Sequence, residues 1–378
     1  MESILLIKGI IILVIFALSL GIAAYETYFE RVIAAYIQDR VGPDRAGPYG
    51  ILQPLADAGK LFFKEDFVPA MADKWLFIVG PGIAMFTSLL SSAVIPFGDT
   101  LKIGEHIVPI QGMDVNIGIL WVFGIVALGV YGMLIGGWAS NNKYSLYGAI
   151  RAASQAISYE IALGLCLLSV IVVTGSLSIR EIVGLQHGFN WNVFYQPVGF
   201  ILFFVCALAE CNRTPFDLPE TEAELVTGYL TEFGSMKMGL YMFAEYVNMF
   251  VSSAIMASMY FGGYNYPGMD WVYGLLVGQF GDVAGHNIAT LLGTGIFFIK
   301  IFMFIFTFMW IRWTLPRFKY EQLMKLGWQY MVPLAMVNLI VMTIAALMEK
   351  PLLVSWIGMG GFLILYYGGR TLLEKRIN

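Results

Sequence analysis

The chain has 378 residues, 58% of them hydrophobic and only 13% charged, with a formal net charge of −4. Soluble domains carry about a quarter of their residues as charged side chains, so this composition excludes a water-soluble globular protein. Short segments of alternating hydrophobicity are absent, which excludes a porin-like barrel, and in a membrane protein the sum of charges says less than their positions.

Met1 to Ala24 is apolar, has little positive flank beyond Lys8 and shows no clear cleavage site, so it reads as a retained first helix. Spans are expected at about 4–25, 76–97, 116–138, 160–175, 194–210, 240–262, 288–310 and 328–347. A shorter apolar run at 352–367 lies near the lower length limit of about 17 residues for a crossing. No internal repeat, low-complexity tract or linker interrupts the pattern. The expected fold is therefore all-α: a polytopic transmembrane helical bundle of eight core spans with a ninth at the C-terminus, one integral membrane domain over 1–378.

Lys and Arg set the orientation. The first connection holds Arg31, Arg40, Arg45, Lys60, Lys64 and Lys74, and the third holds Lys143 and Arg151. The fifth holds Arg213 and Lys237; the seventh holds Arg312, Arg317, Lys319 and Lys325. The alternate connections offer only Lys102, Arg180, none and Lys350. The odd connections thus face the cytoplasm or matrix and the N-terminus faces out. Arg370, Lys375 and Arg376 after the ninth run suit the inner face, which favours a crossing over a tail on the outer surface. Within the first connection, "GILQPLADAGKLFF" places Ile51, Leu52, Leu55, Ala58, Leu61 and Phe62 at helical spacing. This cytoplasmic-side amphipathic helix either lies in the membrane interface or packs on the bundle.

The acids call for explanation, because an ionised side chain at the bilayer centre costs about 2.5–3.5 kcal/mol on the insertion scale. Glu245 falls inside the sixth expected span, Glu160 opens the fourth and Glu210 closes the fifth. Between Glu210 and Glu245 lie Asp217, Glu220, Glu222 and Glu224, while 209–229 contains one full positive charge, Arg213. If a helix begins at Pro219, Glu220 and Glu224 share a face and repel each other. Crowded carboxylates with little counter-charge titrate as a coupled set with raised pKa values, so a row of them can pass protons. The alternative is a solvated acidic loop whose first carboxylates favour a helix N-terminus. The end of the first span carries Glu26, Glu30, Arg31, Arg40 and Arg45 around a Gly42-Pro43-Asp44 turn. Its guanidinium forks suit pairing with the glutamates or with a polar ligand head, or else merely set topology.

His106, His187 and His286 fall in outer connections, so no span carries a pair of haem ligands. Cys166, Cys206 and Cys211 lack CxxC spacing and cannot supply four thiolates. No phosphate-binding Gly-rich loop follows a strand. No metal or redox cofactor is expected on this chain; in an electron-transfer system a partner would carry the electrons.

At "AECNRTPFDLPETEAELVTGYLTEF" the sequence resembles the quinone-site membrane subunit of respiratory complex I, called the H subunit or subunit 1. The likeness extends through "RVGPDRAGPYGILQPLADAGKLFFKED", "GWASNNKYSLYGAIRAASQAISYEI" and "RWTLPRFKYEQLMKLGW", which together reach across most of the chain. The resemblance implies a place at the heel of the enzyme, joining membrane and hydrophilic arms. There the first and sixth spans and the amphipathic helix frame the access of a lipid-soluble quinone. By the same resemblance Glu210, Arg213, Asp217, Glu220, Glu222 and Glu224 border the quinone cavity, and Glu160 and Glu245 start a hydrophilic path toward proton-pumping subunits. Glu30, Arg31, Arg40 and Arg45 match charged positions at the cavity entrance, and Asp57 one on the amphipathic helix. Quinone is then the substrate, with FMN and iron–sulfur clusters in partner subunits. The partners implied are the other membrane subunits, the hydrophilic quinone-reducing subunits and the lipid bilayer, with no nucleic acid. The membrane implied is the bacterial inner membrane, with the mitochondrial inner membrane as the alternative.

The tail after "LIVMTIAALME" exceeds the family's eight-span pattern and touches none of these motifs. Two rival readings remain at this point. The homologous subunit of a membrane-bound hydrogenase or a ferredoxin- or formate-linked complex keeps the acidic loop; "QDRVGPDRAGP" and the amphipathic helix favour the quinone enzyme. A stand-alone proton-coupled transporter would show paired repeats, which are absent.

Overall fold

The computed structural model describes residues 2–104, 106–218 and 226–348, together with Trp356. In chain order the helices are α1 (Glu2–Ile37), α2 (Gln53–Phe63), α3 (Lys74–Ser92), α4 (Gly118–Ala139) and α5 (Lys143–Thr174). They continue with α6 (Ile179–Leu185), α7 (Asn192–Tyr195), α8 (Pro197–Glu210), α9 (Ser235–Tyr260), α10 (Met269–Phe280), α11 (Asp282–Thr314) and α12 (Tyr320–Leu347). Among the described residues seven of these, α1, α3, α4, α5, α9, α11 and α12, are long and apolar enough to cross a membrane. The chain is an integral membrane protein with a helical bundle. The ninth expected span, 352–367, lies outside the described residues.

The remaining expected core span, the fifth in chain order, is α8, with only 14 residues. At 1.5 Å per residue that is about 21 Å, short of about 30 Å of hydrocarbon. Pro197 sets its start, and the break before it is buried, where Gln196 accepts from Ser169 Oγ at 2.8 Å and donates to Ser169 O at 3.0 Å. Irregular backbone is tolerated at membrane depth when protein satisfies it.

Three spans, α1, α5 and α12, run at least eight residues past one of their expected bounds. α1 continues to Ile37, so Glu26, Glu30 and Arg31 sit on the helix rather than in the first connection. Nothing breaks it between Gly21 and Gly42, and its end is a left-handed Asp39 (φ 51°) with Arg40 N–H bonded to Ala35 O at 2.9 Å. α5 begins at Lys143, capped by Asn142, whose side chain accepts the Tyr144 N–H at 2.9 Å. Its first half buries Ser145, Gly148, Ala149, Ala152 and Ala153, small residues that suit close helix packing. Glu160 therefore lies mid-helix instead of opening a span. α12 starts at Tyr320 and contains a π-helical stretch, Leu326–Met331, just before Pro333. Pro333 has no N–H and crowds the carbonyl one turn back, and the wider π turn accommodates it.

α9 is the most enclosed span, with 78% of its apolar window buried, which puts Glu245 inside the bundle. α3 and α4 meet at Gly132, where a Cβ would lie 2.8 Å from Ala84 N, and Tyr241 of α9 donates to Gly132 O at 2.9 Å. At its C-terminal end α9 is closed by Lys300 of α11, whose ammonium donates to Phe261 O, Gly263 O and Asn265 O, each at 2.7 Å.

One element departs from an all-α reading: an antiparallel hairpin of β1 (Thr100–Ile103) and β2 (His106–Pro109) in the second connection. Such a hairpin is marginal alone. Here Asn287 of α11 accepts from Lys102 N–H at 2.8 Å and donates to Lys102 O at 2.9 Å.

The amphipathic helix is α2, and it packs on the bundle. Pro54, Asp57, Ala58 and Leu61 face the bundle, and Ser235 at the start of α9 donates to Leu61 O at 3.0 Å. Leu55, Phe62 and Phe63 remain exposed, an apolar edge on the other side.

Candidate functional site

Arg213 is the hub of the site, and the loop after α8 is folded to aim it inward. Past Glu210 the chain turns through Asn212 (φ 50°), and Phe216 N–H closes on Arg213 O at 2.8 Å. This turn leaves the carbonyls of Ala209 and Phe216 pointing into the bundle. Buried carbonyls need donors, and the Gln155 side chain of α5 supplies both, at 2.8 and 2.7 Å.

So held, Arg213 is 5% exposed and reaches between α1 and α9. Its guanidinium lies 3.7 Å from Glu30 and 3.9 Å from Glu245, with its carbon 4.1 Å from the centre of the Tyr246 ring. Tyr246 donates to Glu30 at 2.8 Å, Tyr229 donates to Glu245 at 3.2 Å, and Arg312 of α11 pairs with Glu30. Both carboxylates are buried, Glu30 at 6% and Glu245 at 7%. Asp217, also buried, accepts from Arg317 at 2.8 Å. Burial raises the Asp217 carboxyl above its ordinary range, and the Arg317 guanidinium pulls it part of the way back.

The sequence suggests poorly neutralised acids, and the fold corrects this for Asp217 and Glu245. Arg312 and Arg317, which the sequence presents only as topology signals, bring positive charge to Glu30 and Asp217 from 282 and 100 residues away. Lys237, the nearest cation to Glu245 in sequence, is committed to Asp66 at 2.6 Å.

Beside this cluster a cavity of about 240 Å³ opens between α1, α2 and α9, with Glu30, Arg31, Arg40, Asp57 and Tyr246 in its wall. Arg31 pairs with Asp57 at 2.8 Å, tying α1 to α2. Arg45 is exposed and is not drawn into this cavity. On the inner side, a cavity of about 40 Å³ is lined by Glu245, Glu210, Tyr229 and Asn248, among others. A second, of about 30 Å³, is lined by Glu210, Glu160, Asn248 and Ser252 together with apolar side chains. Thus Glu30, Arg31, Arg40, Asp57, Arg213, Glu245, Glu210 and Glu160 form one neighbourhood from an open mouth to the bundle interior. Glu220, Glu222 and Glu224 lie outside the described residues.

Gln155, Tyr229 and the two distal arginines lie within the stretches that carry the resemblance, yet nothing in the sequence singles them or Tyr246 out as site residues. Glu26 too has no role there beyond its place beside Glu30. It is 1% exposed on α1, one turn before Glu30, and its carboxyl has no hydrogen-bond partner among the described residues. It borders an apolar crevice of about 720 Å³ between α1 and α11. Its position in an otherwise apolar span is the signal that marks it.

A family model described as NADH dehydrogenase matches residues 9–343. The chain is 57% identical over 337 residues to the first of the numbered H subunits of NADH-quinone oxidoreductase in Cytophaga hutchinsonii, covering 89% of this chain and 96% of that one. It is 55% identical over 343 residues to the H subunit of NADH-quinone oxidoreductase in Flavobacterium psychrophilum, covering 91% and 98%. It is 43% identical over 341 residues to the second numbered H subunit of NADH-quinone oxidoreductase in Geobacter metallireducens, covering 87% and 92%.

Proposed function

The chain belongs to the NADH dehydrogenase family, and on that premise we propose that it frames the access cavity of a membrane quinone and links quinone reduction to proton movement through buried carboxylates. It is a membrane subunit of NADH-quinone oxidoreductase, the respiratory complex I, and so part of an oxidoreductase complex. The other subunits of that complex are its partners. The quinone head enters between α1, α2 and α9 and is reduced by a cluster in a hydrophilic partner, which also holds or receives electrons from FMN. The membrane is the bacterial inner membrane. The names these relatives carry favour this over a hydrogenase-type subunit.

One observation carries the reading: Arg213 joins Glu30, in the wall of the open mouth, to Glu245, in the wall of one inner cavity. A buried ion pair is poor support for stability by itself, so a cluster of this cost suits a working role. A charge change at the mouth, as when a bound quinone gains electrons, alters the field on Glu30 and Arg213. Arg213 passes the change to Glu245 because one guanidinium serves both carboxylates. Glu210 and Glu160 continue the path, together with Asp217, Glu220, Glu222 and Glu224.

The test is Glu245→Gln and Glu160→Gln in the assembled complex. Coupled turnover falls at least about tenfold, the scale of one lost hydrogen bond to a charged group, while native gels show intact assembly. Wild-type proton translocation in both variants would end the proton-path reading. A photoreactive quinone labels α1, α2 or the 210–230 segment; labelling confined to the outer connections would end the cavity reading.

A further inference from the structure

We propose that Asn248 is a positioning residue that orders the water between Glu245, Glu210 and Glu160, making the two inner cavities one relay. The inference deepens the proton path proposed above and rests on it.

Asn248 lies on α9 one turn after Glu245, at the i, i+3 spacing that puts both on one side of the helix. It lines both inner cavities, and Glu210 is the one carboxylate that does the same. Glu245 borders only the first and Glu160 only the second. A path from Glu245 to Glu160 through these spaces therefore passes the junction formed by Asn248 and Glu210.

The surroundings of Asn248 point to water. α9 is the most enclosed span, yet Asn248 is only partly buried, because it faces open volume. Its amide makes no hydrogen bond to another described residue, whereas its neighbours on the helix do: Glu245 accepts from Tyr229 and Tyr246 donates to Glu30. An amide left dry and unpaired inside a bundle is costly. Volumes of about 30 and 40 Å³ hold about two waters each, and the polar partners that water needs are present as Glu160, Glu210, Glu245, Asn248, Ser252 and Tyr229. A primary amide both donates and accepts, so it can fix the orientation of a water that bridges two carboxyl groups. The amide does not itself titrate. Each proton moves by a water accepting one O–H hydrogen and giving up another, with Asn248 holding that water in line.

The test uses the assembled complex in its native membrane. Asn248→Leu keeps a similar volume and removes both donor and acceptor. Coupled quinone reductase turnover falls about tenfold, the scale of one lost hydrogen bond to an ionisable group. The ratio of rates in light and heavy water rises, native-gel assembly is unchanged, and Asn248→Ser, which keeps a hydroxyl and admits water, recovers most of the rate. If Asn248→Leu has wild-type turnover and isotope ratio while Glu245→Gln and Glu160→Gln are impaired, the role of Asn248 is overturned and the proton path stands. If those two glutamine variants are also at wild type, the path itself fails and this inference with it. Should the Leu variant not assemble, a high-resolution map of the wild-type complex decides. Water within hydrogen-bond reach of the Asn248 amide and of Glu210 or Glu245 supports the assignment; a dry amide overturns it.

Discussion

Replacing Arg213 by Met keeps most of the side-chain length and removes the charge shared by Glu30 and Glu245. At 3.7 and 3.9 Å each pair has a gross attraction of about 4 kcal/mol where the effective dielectric constant is about 20. Part of that is offset because an uncharged side chain no longer has to shed its hydration. Removing one partner of a buried pair nets a loss of about 3–5 kcal/mol, since the charge left behind is uncompensated. Glu30 keeps Arg312 and the Tyr246 hydroxyl, and Glu245 keeps the Tyr229 hydroxyl, so the loss is spread over both carboxylates. The complex carrying Arg213→Met should inactivate at a lower temperature than wild type and reduce quinone at least about tenfold more slowly. Arg213→Lys should recover only part of this, because a point charge cannot span two carboxylates or stack on Tyr246. Adding Glu245→Gln to Arg213→Met removes one of the two carboxylates that lose the guanidinium and should restore part of the thermal resistance, but not turnover. Both are measured by residual quinone reductase activity after timed heating. Wild-type heat resistance in the single variant, or no recovery in the double, would refute the reasoning.

Gln155→Leu removes the side-chain amide that donates to Ala209 O and Phe216 O and leaves those carbonyls only their backbone donors, Asn212 N–H at 3.3 Å and Leu218 N–H at 3.0 Å, a loss of about 0.5–1.5 kcal/mol for each hydrogen bond removed; it should lower heat resistance and turnover together, and unchanged turnover would show that the loop aims Arg213 without it. Lys300→Met leaves three carbonyls at the end of α9 without their donor and lies far from the mouth, so it should lower heat resistance while the KM for quinone stays at the wild-type value. For Asp217 the folded carboxyl lies above its ordinary range, so its stability contribution is present at low pH and is lost as pH rises through the folded value. Asp217→Asn removes that loss, and the variant should match or exceed wild-type heat resistance at neutral pH, with the advantage shrinking on acidification; a clear deficit at neutral pH would contradict this.

The membrane class and the anomalous acids are legible in the sequence because each depends on local composition. Long apolar runs mark spans whatever their neighbours, and Glu245 in "YMFAEYVNMF" is anomalous within its own span. Helix ends are less legible, since α1 and α5 outlast their apolar windows. Glu30 and Gln155 lie past those windows, yet they face the bundle and are hydrogen-bonded there. The arginine partners are not legible at all. Nothing near Arg312 in the chain points to Glu30, and only the packing of α1, α9 and α11 brings the two together. The inner cavities are hidden for the same reason, because empty volume is a property of packing and leaves no motif.

Proton movement through Glu245, Glu210 and Glu160 is tested most directly by redox-difference infrared spectroscopy of the assembled complex with quinone bound. Reduction of the quinone should change the carbonyl bands of protonated carboxyl groups, and Glu245→Gln should remove one of them. Spectra in which those bands are absent, or are identical in wild type and in the Glu245, Glu210 and Glu160 glutamine variants, would contradict a carboxylate path and leave the cluster a structural one.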